Sequence, residues 1–145
     1  MAKIKLDIVS AERKLLSEEV DYISAPGAGG ILGILPRHTP LLTSLAIGEL
    51  RYKKDGEEFT FAIHGGFMEV RPDQVTVLAD LAEHADEIDE ARAEEARKRA
   101  QELLKEKPRT DAQFAMLEQS LRRAQVRLRV ARRKHSGARP EVRDQ

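Results

Sequence analysis

The sequence predicts an α+β chain, with strands first and a pair of helices after them. Three observations carry this. Apolar and polar residues alternate at a period of two through the first half, then recur at steps of three and four through the second. Pro and Gly clusters punctuate the first half at short intervals, and Pro108 divides the second. The charge reverses between the halves. Residues 1–87 hold 9 Lys+Arg against 15 Asp+Glu, a net −6, and residues 88–145 hold 16 against 10, a net +6. Within a total charge of zero, that asymmetry points to two units with different partners.

The elements follow in order. Ile4, Leu6 and Ile8 alternate with Lys3, Lys5 and Asp7, which predicts a strand with one wet face. Val20, Tyr22 and Ser24 repeat the rhythm. Pro26-Gly27-Ala28-Gly29-Gly30 reads as a turn. Leu50–Lys54 and Glu58–Ala62 flank Asp55-Gly56, a strong hairpin signal. Gly65-Gly66 predicts a bulge or a close backbone approach within its strand. Val75–Ala79 is a further strand after the turn at Arg71-Pro72-Asp73. Many short strands at regular spacing predict a β-sandwich or a barrel.

In the second half, Asp86 or Asp89 is placed to cap a first helix built on Ala91, Ala93, Ala96, Ala100, Leu103 and Leu104. Pro108 ends it, and Arg109-Thr110-Asp111 supply a turn and the next cap. Phe114, Leu117, Leu121, Ala124, Leu128 and Ala131 then form one narrow stripe, as in an antiparallel helical hairpin or a coiled coil. Such a stripe buries little area, so the pair is expected to close weakly and to be able to open. Residues 136–145 are expected to form a disordered tail.

The composition excludes several kinds of chemistry. There is no cysteine, so no disulfide framework, thiolate zinc site or cysteine nucleophile is available. His38, His64, His84 and His135 share no metal-ligand spacing, and no serine sits in a Gly-x-Ser-x-Gly context. Gly27-Ala28-Gly29-Gly30 lacks the Gly-Lys-Ser/Thr ending that a phosphate loop needs. His38 is expected to be a hydrogen-bonded turn residue. No apolar run nears the roughly 18 residues needed to span a bilayer, and the N-terminus has no signal h-region. The chain is therefore expected to be cytosolic and to reach a membrane only through a partner.

Arg122, Arg123, Arg127, Arg129, Arg132, Arg133 and Lys134 make the last helix basic. Such a helix suits nucleic acid, an acidic membrane, an acidic protein surface or plain solvation. The acidic first half and the shortage of stacking aromatics weigh against nucleic acid, which leaves an acidic protein favoured. Ile88-Asp89-Glu90-Ala91-Arg92-Ala93 reads as a helix cap with an i,i+3 ion pair between Asp89 and Arg92.

Two stretches carry a resemblance to a known family. Gly30-Ile31-Leu32-Gly33-Ile34-Leu35-Pro36-Arg37-His38-Thr39-Pro40-Leu41-Leu42 is followed, about twenty residues on, by Ala62-Ile63-His64-Gly65-Gly66-Phe67-Met68-Glu69-Val70. In content, order and spacing they resemble the hallmark of the epsilon subunit of bacterial F-type ATP synthases, and the likeness covers about residues 3–133. His64 departs from it, standing where a small residue is usual, and the tail after Lys134 is longer than typical.

The resemblance implies a flattened antiparallel β-sandwich over residues 1–84 and a helical hairpin over 88–135. It implies a non-catalytic subunit of the central stalk of a proton-transporting ATP synthase, peripheral on the cytoplasmic side of the cell membrane. The implied partners are the gamma subunit, the c-subunit ring and, with the helices extended, the alpha and beta subunits. The implied regulation is a brake on ATP hydrolysis. ATP is implied as a regulatory ligand, with no cofactor required. Several relatives bind it through Ile/Leu-Asp-x-x-Arg-Ala, which this chain matches at Ile88, Asp89, Arg92 and Ala93. Glu83 falls at a ligand-contacting position, Arg99 is a weaker candidate, and Arg123 and Arg127 lie one turn apart, able to converge on a triphosphate. A generic interaction module remains the alternative reading; a hydrolase is remote for want of a nucleophile or metal set.

Overall fold

The structure, a computed structural model, describes residues 2–133. The expected tail at 136–145 and the end of the expected hairpin at 134–135 lie outside these residues. Eight strands come first: β1 (Ile4–Val9), β2 (Lys14–Val20), β3 (Tyr22–Gly27), β4 (Gly30–Ile34), β5 (Leu41–Lys54), β6 (Glu57–Val70), β7 (Gln74–Ala79) and β8 (Ala82–His84). A 3₁₀ turn at Ala85–Glu87 leads to α1 (Glu90–Glu106) and α2 (Phe114–Arg133).

The strands pair in the order β2-β1-β7-β6-β5-β3-β4, with β8 on β6. The β5–β6 ribbon is the axis. Its turn is Asp55-Gly56, with φ of 52° and 83°. Positive φ at both central residues is the geometry that a two-residue hairpin loop needs to match the twist of its strands. Both strands are long enough to serve two sides: β7 pairs with residues 66–70 of β6, and β8 with residues 61–63. The sheet folds over one core to which every strand contributes, including Leu6, Ile23, Ile34, Leu50, Met68 and Ala82. The result is a β-sandwich.

One ladder departs from the expected antiparallel arrangement, because β1 and β7 run parallel. The tight turns of this chain make antiparallel neighbours, whereas β1 and β7 are distant in sequence and meet only through the closure of the sandwich. Three local expectations also change. Pro26-Gly27 and Gly30 lie inside paired strands, so the turn narrows to Ala28-Gly29. The chain bends at Asp21, so Val20 and Ile23 enter the core while Tyr22 and Ser24 lie half-buried. Asp7, expected on a wet face, is buried, accepting a hydrogen bond from the Gln74 side chain with Lys14 3.5 Å away. Those contacts, with one from Ser17, hold its carboxyl below the usual range although burial opposes this.

The two helices pack against each other through Ala93 and Ala100 on α1 and Ala124, Leu128 and Ala131 on α2, all buried. Small side chains on both sides let the axes approach closely. Asp111 caps the second helix's approach, its carboxylate accepting from the Gln113 N–H at 2.8 Å. The single stripe expected on α2 is incomplete, however. Val126 and Val130 are also buried, forming a second cluster with Ala62, Ala85, Ile88 and Ala131. Offset from the first stripe, this second face seats the C-terminal half of α2 on the sandwich. Phe114, Leu117 and Leu121, beyond the reach of the sheet, are only half-buried.

Candidate functional site

The boundary between sandwich and helices concentrates most of the residues singled out above. Asp89 has extended backbone angles, and its Oδ1 accepts from the Arg92 N–H at 3.1 Å, satisfying one of the donors that a helix start leaves free. The expected Asp89–Arg92 ion pair is not formed. The carboxylate turns back onto the backbone, and Arg92 is exposed. Ile88 is buried in the cluster beneath α2, and Ala93 lies between the helices.

Two expected residues meet across a long stretch of chain. Arg127 of α2 donates from Nε to Glu83 Oε1 of β8 at 2.7 Å. The same oxygen lies 2.9 Å from Nε2 of His64 on β6. Burial alone would raise the Glu83 carboxyl, but the hydrogen bonds and charges of His64 and Arg127 outweigh it and hold it below the ordinary carboxylate range. A second clamp sits at the end of α2. Glu49 of β5, its side chain 9% exposed, accepts from Arg133 Nε at 3.1 Å and from Arg51 at 2.7 Å. Its carboxyl is also held low, burial opposing and the two arginines prevailing. Arg132 adds a more exposed contact to Glu90 at 3.2 Å.

Among the described residues Arg123 bonds only within its own helix, to Ser120 Oγ at 3.2 Å, and Arg99 is exposed on α1. The folded pair therefore gathers Glu83, Ile88, Asp89, Ala93 and Arg127 about one end of α2. It leaves Arg92, Arg99 and Arg123 without a carboxylate partner among the described residues. Sequence reasoning missed Glu49, Val126 and Val130, and named Arg133 only as one of the basic residues of the last helix. The i,i+4 spacing of the two valines was the available sign of a second buried face.

A pH dependence follows from the clamps. Glu49 and Glu83 bind their protons less tightly in the docked form than in an exposed one. Each thus favours docking above the ordinary carboxylate value, and that contribution is lost as pH falls through the depressed value. Acid release of α2 is expected below about pH 4, followed by hydrogen exchange of its amides. A Glu49→Gln, Glu83→Gln double variant is expected to lose that acid step; its persistence would count against the clamps.

A different surface lies on the outer side of the sandwich. Phe67 of β6 is 57% exposed and is paired with Leu78 of β7, itself exposed, and with Ser44 of β5. Leu42, Ile31 and Leu35 add further exposed apolar side chains. So many large apolar groups left in water mark an interaction surface more often than chance exposure. Among the described residues, no helix is long and apolar enough to cross a membrane.

Comparison with known proteins matches both halves. Residues 3–85 match the family described as ATP synthase, Delta/Epsilon chain, beta-sandwich domain, and residues 86–132 the family described as ATP synthase, Delta/Epsilon chain, long alpha-helix domain. A protein of Dehalococcoides mccartyi named ATP synthase epsilon chain is 57% identical over 93% of this chain and 98% of its own length. One of the same name from Herpetosiphon aurantiacus is 57% identical over 89% and 94%. Among solved structures, a chain of the Euglena gracilis mitochondrial ATP synthase (OSCP/F1/c-ring in rotational state 1) is 25% identical, with a TM-score of 0.77 over 90% of this chain and 82% of that one. A chain of the Tetrahymena thermophila mitochondrial ATP synthase central stalk/c-ring shares the fold alone, at 13% identity and a TM-score of 0.55 over 92% and 96%. Since sandwich and helices are each matched, in the same order and nearly end to end, the chain belongs to the ATP synthase delta/epsilon family.

Proposed function

We propose that this chain is a non-catalytic rotor subunit, epsilon-like, whose sandwich grips the gamma subunit and c-subunit ring while its helices brake ATP hydrolysis. The kinship with epsilon chains and the c-ring complex of the Euglena structure support the place in the machine. The exposed row of Phe67, Leu78 and Leu42 is the docking face in this reading. The chain stays peripheral, on the cytoplasmic side of the membrane, through those partners.

The observation that carries the brake is the seating of α2. In the folded form Arg127, Arg132 and Arg133 are neutralised by Glu83, Glu90 and Glu49 of the chain itself. Released, the same arginines present a cationic helix to the alpha and beta subunits, whose acidic surface takes the place of those carboxylates. ATP favours the folded form through Arg92, Arg123 and Arg127, with Ile88, Asp89, Ala93 and Glu83 shaping the site and Arg99 alongside. A ligand shifts such an equilibrium only by its differential affinity for the two forms, and among the described residues no carboxylate pairs with Arg92 or Arg123 in the folded one.

The test is hydrolysis by the assembled complex carrying either the full chain or one ended after residue 87. Hydrolysis is expected to rise severalfold without the helices; an equal rate would sink the brake. For the ligand, Arg123→Ala and Arg127→Ala are each expected to weaken ATP binding about tenfold or more, the loss of a charge-assisted contact. Unchanged affinity in titration calorimetry of the isolated chain would sink the ATP role.

A further inference from the structure

His64 belongs to no part of the reading above, and its surroundings are unusual. Its side chain is 3% exposed, and its Nε2 lies 2.9 Å from Glu83 Oε1. An ionised carboxylate can only accept, so Nε2 carries the hydrogen. Arg127 donates to that same oxygen at 2.7 Å. The other ring nitrogen, Nδ1, is buried with no hydrogen-bond partner among the described residues. In the neutral ring Nδ1 is an acceptor without a donor. A proton there would turn it into a buried N–H without an acceptor and would set two cations on one carboxylate oxygen.

We propose that His64 is a proton-linked latch for the helical pair: taking up a proton on its buried ring expels Arg127 from Glu83 and lets α2 leave the sandwich. Once Arg127 is gone, Glu83 serves the imidazolium alone and water reaches Nδ1. Proton uptake and helix release therefore favour each other, as linkage requires.

Of the titratable and charged groups on the elements packed against β6, Glu83 of β8 touches the ring, and Arg127 of α2 shares its oxygen. The others at this end are His84 of β8, Asp86 of the 3₁₀ turn, Asp80 beside Gly65, Glu49 and Arg51 of β5, and Arg133 of α2. Glu49 is already satisfied by Arg51 and Arg133, and His84 accepts from the Asp86 N–H. Neither supplies Nδ1 with an acceptor. The latch rests on the reading that the helices can leave the sheet, but it needs no nucleotide.

The chain has no cysteine, so Glu57→Cys and Lys98→Cys, both on exposed positions, allow a dye pair to report sandwich-to-helix distance in the full chain. The labelled chain is followed from about pH 8 to about pH 5.5, where the depressed carboxylates of Glu49 and Glu83 keep their charge. Across that window the ratio of released to docked chain is expected to rise by up to about tenfold per pH unit, the limit for one proton. His64→Gln is expected to abolish the response and His84→Gln to keep it. A flat wild-type profile, or a His64→Gln profile like the wild type, overturns the latch.

Should His64→Gln not fold, Arg127→Gln decides, since its side chain is partly exposed. It is expected to be more released at about pH 8 and to respond less to acid; an unaltered slope overturns the proposal. ATP added to the same labelled chain separates the two ideas. A response to ATP without one to pH overturns the latch alone, and a response to pH without one to ATP supports the latch and overturns the nucleotide role. No response to either, with Arg127→Gln also unmoved, overturns both.

Discussion

Gly66→Ala is expected to lower the stability of the sandwich by about 3 kcal/mol or more, combining backbone strain with core overlap. Gly66 has a φ of 124°, a region that L residues rarely adopt. A methyl group there would overlap the backbone carbonyl of Leu78 and stand 2.9 Å from the Ala79 Cα. Both atoms belong to the neighbouring strand β7, so neither can swing aside as the end of a side chain could. Domains of this size are stable by only about 5–15 kcal/mol, so the variant would lose a large share of the total. Gly29→Ala is the control. Its added methyl meets nothing within 4 Å and its φ is ordinary, so it is expected to change stability by less than about 0.5 kcal/mol. Urea unfolding compares them. Equal midpoints would show that β6 and β7 can part without cost.

Val130→Asp is expected to free the helices while leaving the sandwich folded. Val130 is 0% exposed among the apolar side chains of Ala62, Ala85, Ile88, Val126 and Ala131, and the nearest arginines of its helix face, Arg127 and Arg133, are held by Glu83 and Glu49. Burying an unpaired charge there costs several kcal/mol. The area that α2 buries on the sheet is a few small side chains, so undocking is the cheaper response. The strand core is a separate cluster and loses no member. Hydrogen exchange should show amides of α2 near position 130 losing protection by a factor of 100 or so, with those of β5 and β6 unchanged, as expected for independently opening units. Simultaneous loss in both would mean that sheet and helices unfold as one body, and a hinged brake would be untenable.

These two sites differ in how far the sequence announced them. The glycine pair in an apolar strand signalled a close approach, and Gly66 makes one. Asp55-Gly56 likewise declared its hairpin, and Asp89 its cap, because turn and cap chemistry act within four residues. The alternation of Ile4, Leu6 and Ile8 identified a buried face for the same reason: a strand's period of two is local. By contrast, the alternation places Asp7 on the wet face, and its burial depends on Gln74 in another strand. In the sequence one stripe already accounts for α2, and the second buried face of Val126 and Val130 exists only because a second surface comes to meet it.

The candidate site divides along the same line. The residues themselves, Glu83, Ile88, Asp89, Arg92, Ala93, Arg99, Arg123 and Arg127, were all implied by the family resemblance. Which of them touch was not. Spacing along one helix can place Arg123 a turn from Arg127. It cannot say that Arg127 is held by Glu83, that His64 shares the same oxygen, or that Glu49 holds Arg133. By itself the sequence determined the fold class, the order of strands before helices, the change of period and charge at their junction, and the family, but not β4, β8 or the break between β2 and β3. Only the tertiary structure decided that the helices lie folded back, with their cations on carboxylates of the sheet. Ion pairs between residues so far apart depend on where the sandwich closes, and no local preference of the chain encodes that distance.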